Sequence, residues 1–356
     1  MPPNDPDGPD DPAPPADEAM MAAWDALGPL MDLVTPMALR VAATLRLADH
    51  LPPAGSGRGT AVEELAERAG ADPDALGRLL RHLVHHGVFT EPRPGEFALD
   101  RTAALLRSDH PAGMRAWLDL DGFGGRMDLA FTELAHTVRT GEPAWERVFG
   151  LPFWRYLDAN PAIGASFDAA MAANPGHHAA VADGYDWTAV RHVADIGGGT
   201  GSLIAGLLRR NPRLRGTLTD LPETADRARR HLAGLGLAGR CEVVGGSFFD
   251  PLPAGADVYL LCRVVHDWDD AAATAILRRC ADAAGGTGRV LVVEEHGSPA
   301  GADAAFAEMD LRMLVLAGGR ERTIGDYAAL AGAAGLRIAG VRRPTGRHVI
   351  IECRPA

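Results

Sequence analysis

The sequence contains no lysine and no glutamine; all 35 basic residues are arginine. With its surplus of alanine, glycine and proline, that composition reads as the codon bias of a GC-rich genome. Positive charge is also scarce. The 35 arginines face 47 acidic residues, for a net charge of −12, and this argues against a nucleic-acid partner, which needs a basic surface. Cysteine is rare. Cys241, Cys262, Cys280 and Cys353 form no C-x-x-C pair, which predicts free thiols in a reducing compartment. No basic-then-apolar leader opens the chain, and no apolar run approaches the roughly 20 residues of a membrane span. These absences predict a cytoplasmic protein with no membrane partner.

The 356 residues suffice for one large and one smaller domain. Residues 1–17 are Pro, Asp and Gly with almost no apolar side chain, so a disordered tail is expected. Residues 18–108 open with helical patterns. Thr60 with Glu63 has capping-box spacing. Asp72 then caps a second helix, with Pro73 at its first position and Leu76, Leu79, Leu80 and Leu83 on one face. A short hairpin follows Gly87. This is a winged-helix pattern, used for DNA binding or for dimerisation. Residues 109–186 read as a helical linker or lid whose scattered aromatics serve as core or as pocket wall. From residue 187 on, strands (192–196, 215–220, 241–245, 257–262, 289–294, 336–342, 347–353) alternate with helices. That predicts an α/β fold, a doubly wound Rossmann-like sheet ending in an antiparallel hairpin.

The first of these strands runs into Asp195-Ile196-Gly197-Gly198-Gly199-Thr200-Gly201. A dinucleotide fingerprint would place a third glycine at 202, which is Ser. The spacing D-x-G-x-G-x-G instead resembles the loop of S-adenosylmethionine (SAM) dependent methyltransferases. Asp220 ends the second strand, where an acid takes ribose hydroxyls.

The segments VADIGGGTG, TDLPET, VVGGSFFDPLP, LCRVVHDWDD and GGRERT, in this order, resemble the small-molecule O-methyltransferases of plant phenolic and bacterial aromatic-polyketide pathways. The resemblance implies a homodimer paired through the N-terminal domain. It implies SAM as cofactor, held by Gly197, Gly199 and Gly201, by Asp220 and Leu221 at the ribose and adenine edge, and by Ser247 and Phe248 beside the adenine. Many members have Asp where Ser247 stands. Cys262 is a further candidate SAM contact, at a position that in plant members is Lys. His266 matches the family's general base, with Glu294 and Glu321 as its acids. Glu294 is the firmer match because it too ends a strand. Met171 and Met313 match positions that sandwich an aromatic acceptor, although core filling suits them equally.

The chemistry agrees with that assignment. A sulfonium makes its methyl electrophilic unaided, so the enzyme must align the groups and take the phenol proton. Histidine can do this near neutral pH without a metal. The competing reading of His266 is a helix-capping residue. A metal site from His266, Asp267, Asp269 and Asp270 is cramped, and Asp269-Asp270 suit the start of the next helix. Two other functions compete: a tailoring reaction on the same fold (hydroxylation, decarboxylation or cyclisation), and a SAM-responsive winged-helix regulator. Retention of His266 favours methylation.

Overall fold

The computed structural model describes residues 16–172, 176–295, 304–344 and 348–356. Most of the expected disordered tail, residues 1–15, lies outside them. The chain divides into two compact units, Met1–Ser108 and Asp109–Ala356.

The first unit begins with helices Ala16–Met31 and Val34–Thr44. They are separated where Asp32 Oδ1 accepts from the Val34 and Thr35 amides at 2.9 and 3.1 Å. By length and composition the span Met20–Thr44 is apolar enough to cross a membrane, and 11% of it is buried. The absence of any such stretch, expected above, is therefore corrected. Charges at Asp25, Asp32 and Arg40 are spread too thinly to break the apolar average. Met20, Met21, Trp24, Leu27, Leu30, Met31, Leu33 and Val34 are all exposed on it.

The winged element follows: helices Val62–Ala69 and Pro73–His85, with β1 (Thr60–Ala61), β2 (Phe89–Arg93) and β3 (Glu96–Leu99) in the order β1-β3-β2. Leu65, Leu76, Leu80, Leu83, Phe89 and Phe97 form its interior. Asp72 caps the second helix, its Oδ1 accepting from Ala75 N at 2.9 Å. Thr60 does not cap the first. Pairing with Phe97 draws Thr60 into β1, and the cap falls on Ala61, which gives no side-chain bond.

The second unit starts as helices. Phe123, Trp145 and Phe153 are buried and packed ring to ring, with Trp145 and Phe153 centroids 4.8 Å apart. Those three are core. Trp154 reaches beyond it to stack on Trp268 at 6.1 Å.

Seven strands then form one sheet: β4 (His192–Ile196), β5 (Arg215–Asp220), β6 (Cys241–Gly245), β7 (Val258–Cys262), β8 (Arg289–Glu295), β9 (Leu336–Arg342) and β10 (His348–Pro355). Their order is β6-β5-β4-β7-β8-β10-β9. Strands β4 to β8 pair in parallel, and β10 is antiparallel to both of its neighbours. The central strands are continuous apolar runs, as expected of strands covered on both faces. Val258, Tyr259, Leu260 and Leu261 are fully buried. The order reverses at β4, whose two neighbours are β5 and β7. The carboxyl ends of these three strands are the ligand position in an open α/β sheet.

Candidate active site

The loop after β4 is built to approach a ligand closely. Gly197, Gly199 and Gly201 all have positive φ. A Cβ at Gly197 would stand 2.8 Å from Val264 Cγ2 and 3.5 Å from Phe248 Cε1. The loop therefore lies directly against the turn that carries His266, and any side chain at Gly197 would force the two apart.

Asp220, ending β5, accepts from Gly199 N through Oδ2 and from Leu221 N through Oδ1, both at 2.8 Å. Burial raises its pKa to about 6, although both amides favour the ionised form. Asp195 is buried more deeply, and its Oδ2 has no hydrogen-bond partner. Burial, and then the charge of Asp220, lift its pKa to about 7. An unpaired buried carboxylate oxygen beside a glycine loop fits a cationic ligand. SAM, with its sulfonium and ammonium, meets that requirement.

Ser247 and Phe248 follow β6. Ser247 Oγ accepts from Phe249 N at 3.2 Å, and Phe248 packs edge-on against Trp268 at 5.7 Å. Cys262 ends β7 as a free thiol whose pKa is pushed well up, first by burial and then by Asp195 and Glu294. It is a neutral lining residue. Met313 packs against the aromatic core, whereas Met171 is 38% exposed.

His266 sits in a single helical turn, Val265–Asp267, after β7. Both candidate acids reach this turn, but they divide the work. Glu294 Oε1 accepts the backbone amides of Val264, Val265 and His266 at 3.1, 2.9 and 3.4 Å. It holds the turn, not the ring. Glu321 holds the ring: His266 Nδ1 donates to Glu321 Oε1 at 2.7 Å. This reverses the expected ranking, which rested on strand position. The end of β8 places a carboxylate under the amides of the neighbouring strand's turn, whereas the ring's partner arrives from the GGRERT segment.

With Nδ1 donating, Nε2 carries the lone pair, and Asp267 Oδ1 lies 3.5 Å from it. Burial lowers the His266 pKa and the Arg263 cation acts the same way. Glu294, Asp267 and the Glu321 hydrogen bond outweigh both and raise it above the ordinary value. Burial pushes Glu321 up, but its bond to His266 and the charges of His266, Arg263 and Arg322 bring it below the usual range. The pair is poised to accept a proton at Nε2 and share the resulting charge.

Sequence reasoning missed the clamp on this turn. Arg322 is fully buried and donates to the carbonyls of Val265 (3.0 Å), Trp268 (2.7 Å) and Arg320 (3.2 Å), and to Asp270 Oδ1. Arg320 N donates to His266 O at 2.8 Å. A Cβ at Gly319 would lie 2.2 Å from that same oxygen, so only glycine admits the approach. The glycine pair was a legible signal; the arginine, one charge among 35, was not. Asp269 caps the following helix, accepting from Ala272 N at 2.7 Å, as its position predicted. Among the described residues no group of three or more His, Cys, Asp or Glu side chains is arranged to hold a metal ion.

A parallel sheet with a glycine loop after its switch strand, a ribose-type acid and an acid-paired histidine define a SAM-dependent transferase. Residues 131–337 match the O-methyltransferase domain family, and residues 30–109 match the O-methyltransferase dimerisation domain. The chain belongs to the SAM-dependent O-methyltransferases that carry this dimerisation domain. It is 50% identical over 322 residues to a 2,7-dihydroxy-5-methyl-1-naphthoate 7-O-methyltransferase of Streptomyces carzinostaticus, covering 89% of this chain and 94% of that one. It is 48% identical over 318 residues to the aclacinomycin 10-hydroxylase RdmB of Streptomyces purpurascens, covering 88% and 84%. Among solved structures it resembles the O-methyltransferase NcsB1 from neocarzinostatin biosynthesis, crystallised with SAM and 2-hydroxy-5-methyl naphthoic acid. The TM-score is 0.82 at 47% identity, over 92% of this chain and 98% of that one.

Proposed function

We propose that this enzyme methylates a phenolic hydroxyl of a polycyclic aromatic natural product, with His266 as general base. The observation that carries this reading is the 2.7 Å bond from His266 Nδ1 to Glu321, which fixes the tautomer that leaves Nε2 able to take a proton. Asp220, Leu221, Ser247, Phe248 and the glycine loop hold SAM, and Asp195 faces its positive charge. Bound there, SAM supplies a methyl group already made electrophilic by its sulfonium. The phenol proton passes to Nε2 as the oxygen gains its methyl, and Glu321 stabilises the imidazolium that results. Glu294 and Arg322 hold the turn so that Nε2 keeps its place, since misplacement by an ångström costs rate steeply.

Residues 109–186 form the cover over the acceptor, with Met171 and Met313 flanking its rings. Residues 18–108 pair two chains through the exposed apolar helices at 16–44. Trp24, 60% exposed, and Leu30, 82% exposed, belong to a run of exposed apolar side chains that suits a subunit contact. Four free thiols suit a cytoplasmic enzyme.

Replacing His266 with Ala should lower turnover by about 10²–10⁴-fold while SAM affinity by calorimetry stays near wild type. Turnover within a few-fold of wild type would reduce His266 to a structural residue. A second reading, hydroxylation of the acceptor, is favoured by the 48% identity to a hydroxylase. Product mass separates the two: addition of one methyl with release of S-adenosylhomocysteine supports methylation, and gain of one oxygen supports hydroxylation.

A further inference from the structure

Arg263, the residue after β7, has φ +58°, a left-handed conformation unusual for a side chain bearing a Cβ. Its amide still donates to Val293 O at 2.9 Å, so the strand ladder is kept while the chain turns. The guanidinium is set into the acids around the base. Its Nη1 lies 3.6 Å from Glu321 Oε1, the oxygen that accepts from His266, and 3.8 Å from Glu295 Oε1. That nitrogen is buried and makes no hydrogen bond among the described residues. Strain and an unsatisfied donor at one residue suggest a role beyond packing.

The groups around the imidazole and Arg263 come from four elements. Glu294 and Glu295 end β8; Asp267 shares the base turn; Glu321 precedes the helix Ile324–Ala333; and Tyr327 of that helix senses both Glu294 and Glu321. Against four carboxyl groups stand two cations. Arg322 is committed to carbonyls and Asp270. Arg263 faces Glu321 and Glu295. Without it, the surrounding acids would act unopposed and favour the protonated ring more strongly, and a protonated ring cannot accept the phenol proton.

We propose that Arg263 is a positioning residue for the reaction: its guanidinium, held against Glu321 Oε1, opposes protonation of His266 before the acceptor delivers its proton. This rests on the reading of His266 as base. A like charge nearby disfavours a second cation and moves its titration by about one unit or more, and that is the size of effect to look for.

The test titrates the ring itself, in full-length enzyme labelled at histidine Cε1 and followed by NMR, with H266A used to assign the signal. In Arg263→Met the His266 titration should move up by about one unit. In Arg263→Lys, which keeps the charge, it should stay near wild type. Arg263→Gln replaces the Met variant if that fails to fold. An unmoved titration in the neutral variant, or an equal shift in the Lys variant, overturns the proposal. Turnover of H266A with 1,4-dihydroxy-2-naphthoic acid as probe tests the base reading separately. That reading can fail while Arg263 still governs the ring, and the reverse.

Discussion

Glu321→Gln removes a charge from the ring's partner and leaves an acceptor in nearly the same place. The wild-type bond is 2.7 Å long, between side chains 5% and 0% exposed, so solvent screens it little. A hydrogen bond to a charged group is worth about 1.5–3 kcal/mol and a neutral one about 0.5–1.5 kcal/mol. The difference, about 1–1.5 kcal/mol, is support that the imidazolium loses as it forms. At about 1.4 kcal/mol per factor of ten, kcat should fall about five- to fifteen-fold. The pH profile carries a second signature. Glu321 is among the groups that raise the His266 pKa, and the base works only when neutral. Activity is therefore lost as pH falls through that pKa. Removing the charge lowers the pKa, so the acid limb should move to lower pH while the plateau drops. Release of S-adenosylhomocysteine, followed at saturating acceptor from about pH 5 to pH 9, reads both effects. An unchanged plateau would refute the reasoning. So would a loss that alkaline pH restores in full, because Glu321 would then act on the resting ring alone.

The remaining expectations concern the cofactor and the subunit contact. Asp220→Asn puts an amide donor against one of two backbone amides now bonded at 2.8 Å. SAM should bind about five- to 150-fold more weakly by calorimetry, a loss of about 1–3 kcal/mol, and an unchanged Kd would remove Asp220 from the cofactor site. Leu27→Asp places a charge in the exposed apolar face of the first helix, where Leu27 is 55% exposed. Light scattering should then show monomers at micromolar concentration where wild type shows dimers, and a dimer that persists would put the subunit contact elsewhere.

Strand positions were most legible where the strands are buried on both faces. That holds for β7 and β8, whose Val258–Leu261 and Val290–Val293 are apolar runs with few other readings. Asp72 was legible as a cap because capping is local, set by a side chain and an amide three residues on. Thr60 failed for the opposite reason. Its local spacing is good, but pairing with Phe97, 37 residues away in sequence, decides its backbone. The site divides along the same line. The glycine loop and Asp220 follow from one strand each. The choice between Glu294 and Glu321 depends on which acid the fold brings to Nδ1, a contact across 55 residues. Arg263 and Arg322 gave no periodic or spacing signal, because their importance lies in which acids and carbonyls surround them.

Near-equal identity to a methyltransferase and to a hydroxylase means that overall similarity cannot choose between the two reactions. Fold rarely decides chemistry; the site does. Two carboxylates, two arginines and a glycine contact are committed to one histidine turn. Glu294 and Arg322 hold its amides and carbonyls, Gly319 admits the chain that carries Glu321, and Glu321 sets the tautomer. Buried charges are costly to keep. A histidine held in one tautomer, with Nδ1 on Glu321, suits a reaction in which a proton must leave an acceptor. Methylation of a phenol has such a proton, which is why the arrangement around His266, more than the percentage of identical residues, argues for methyl transfer.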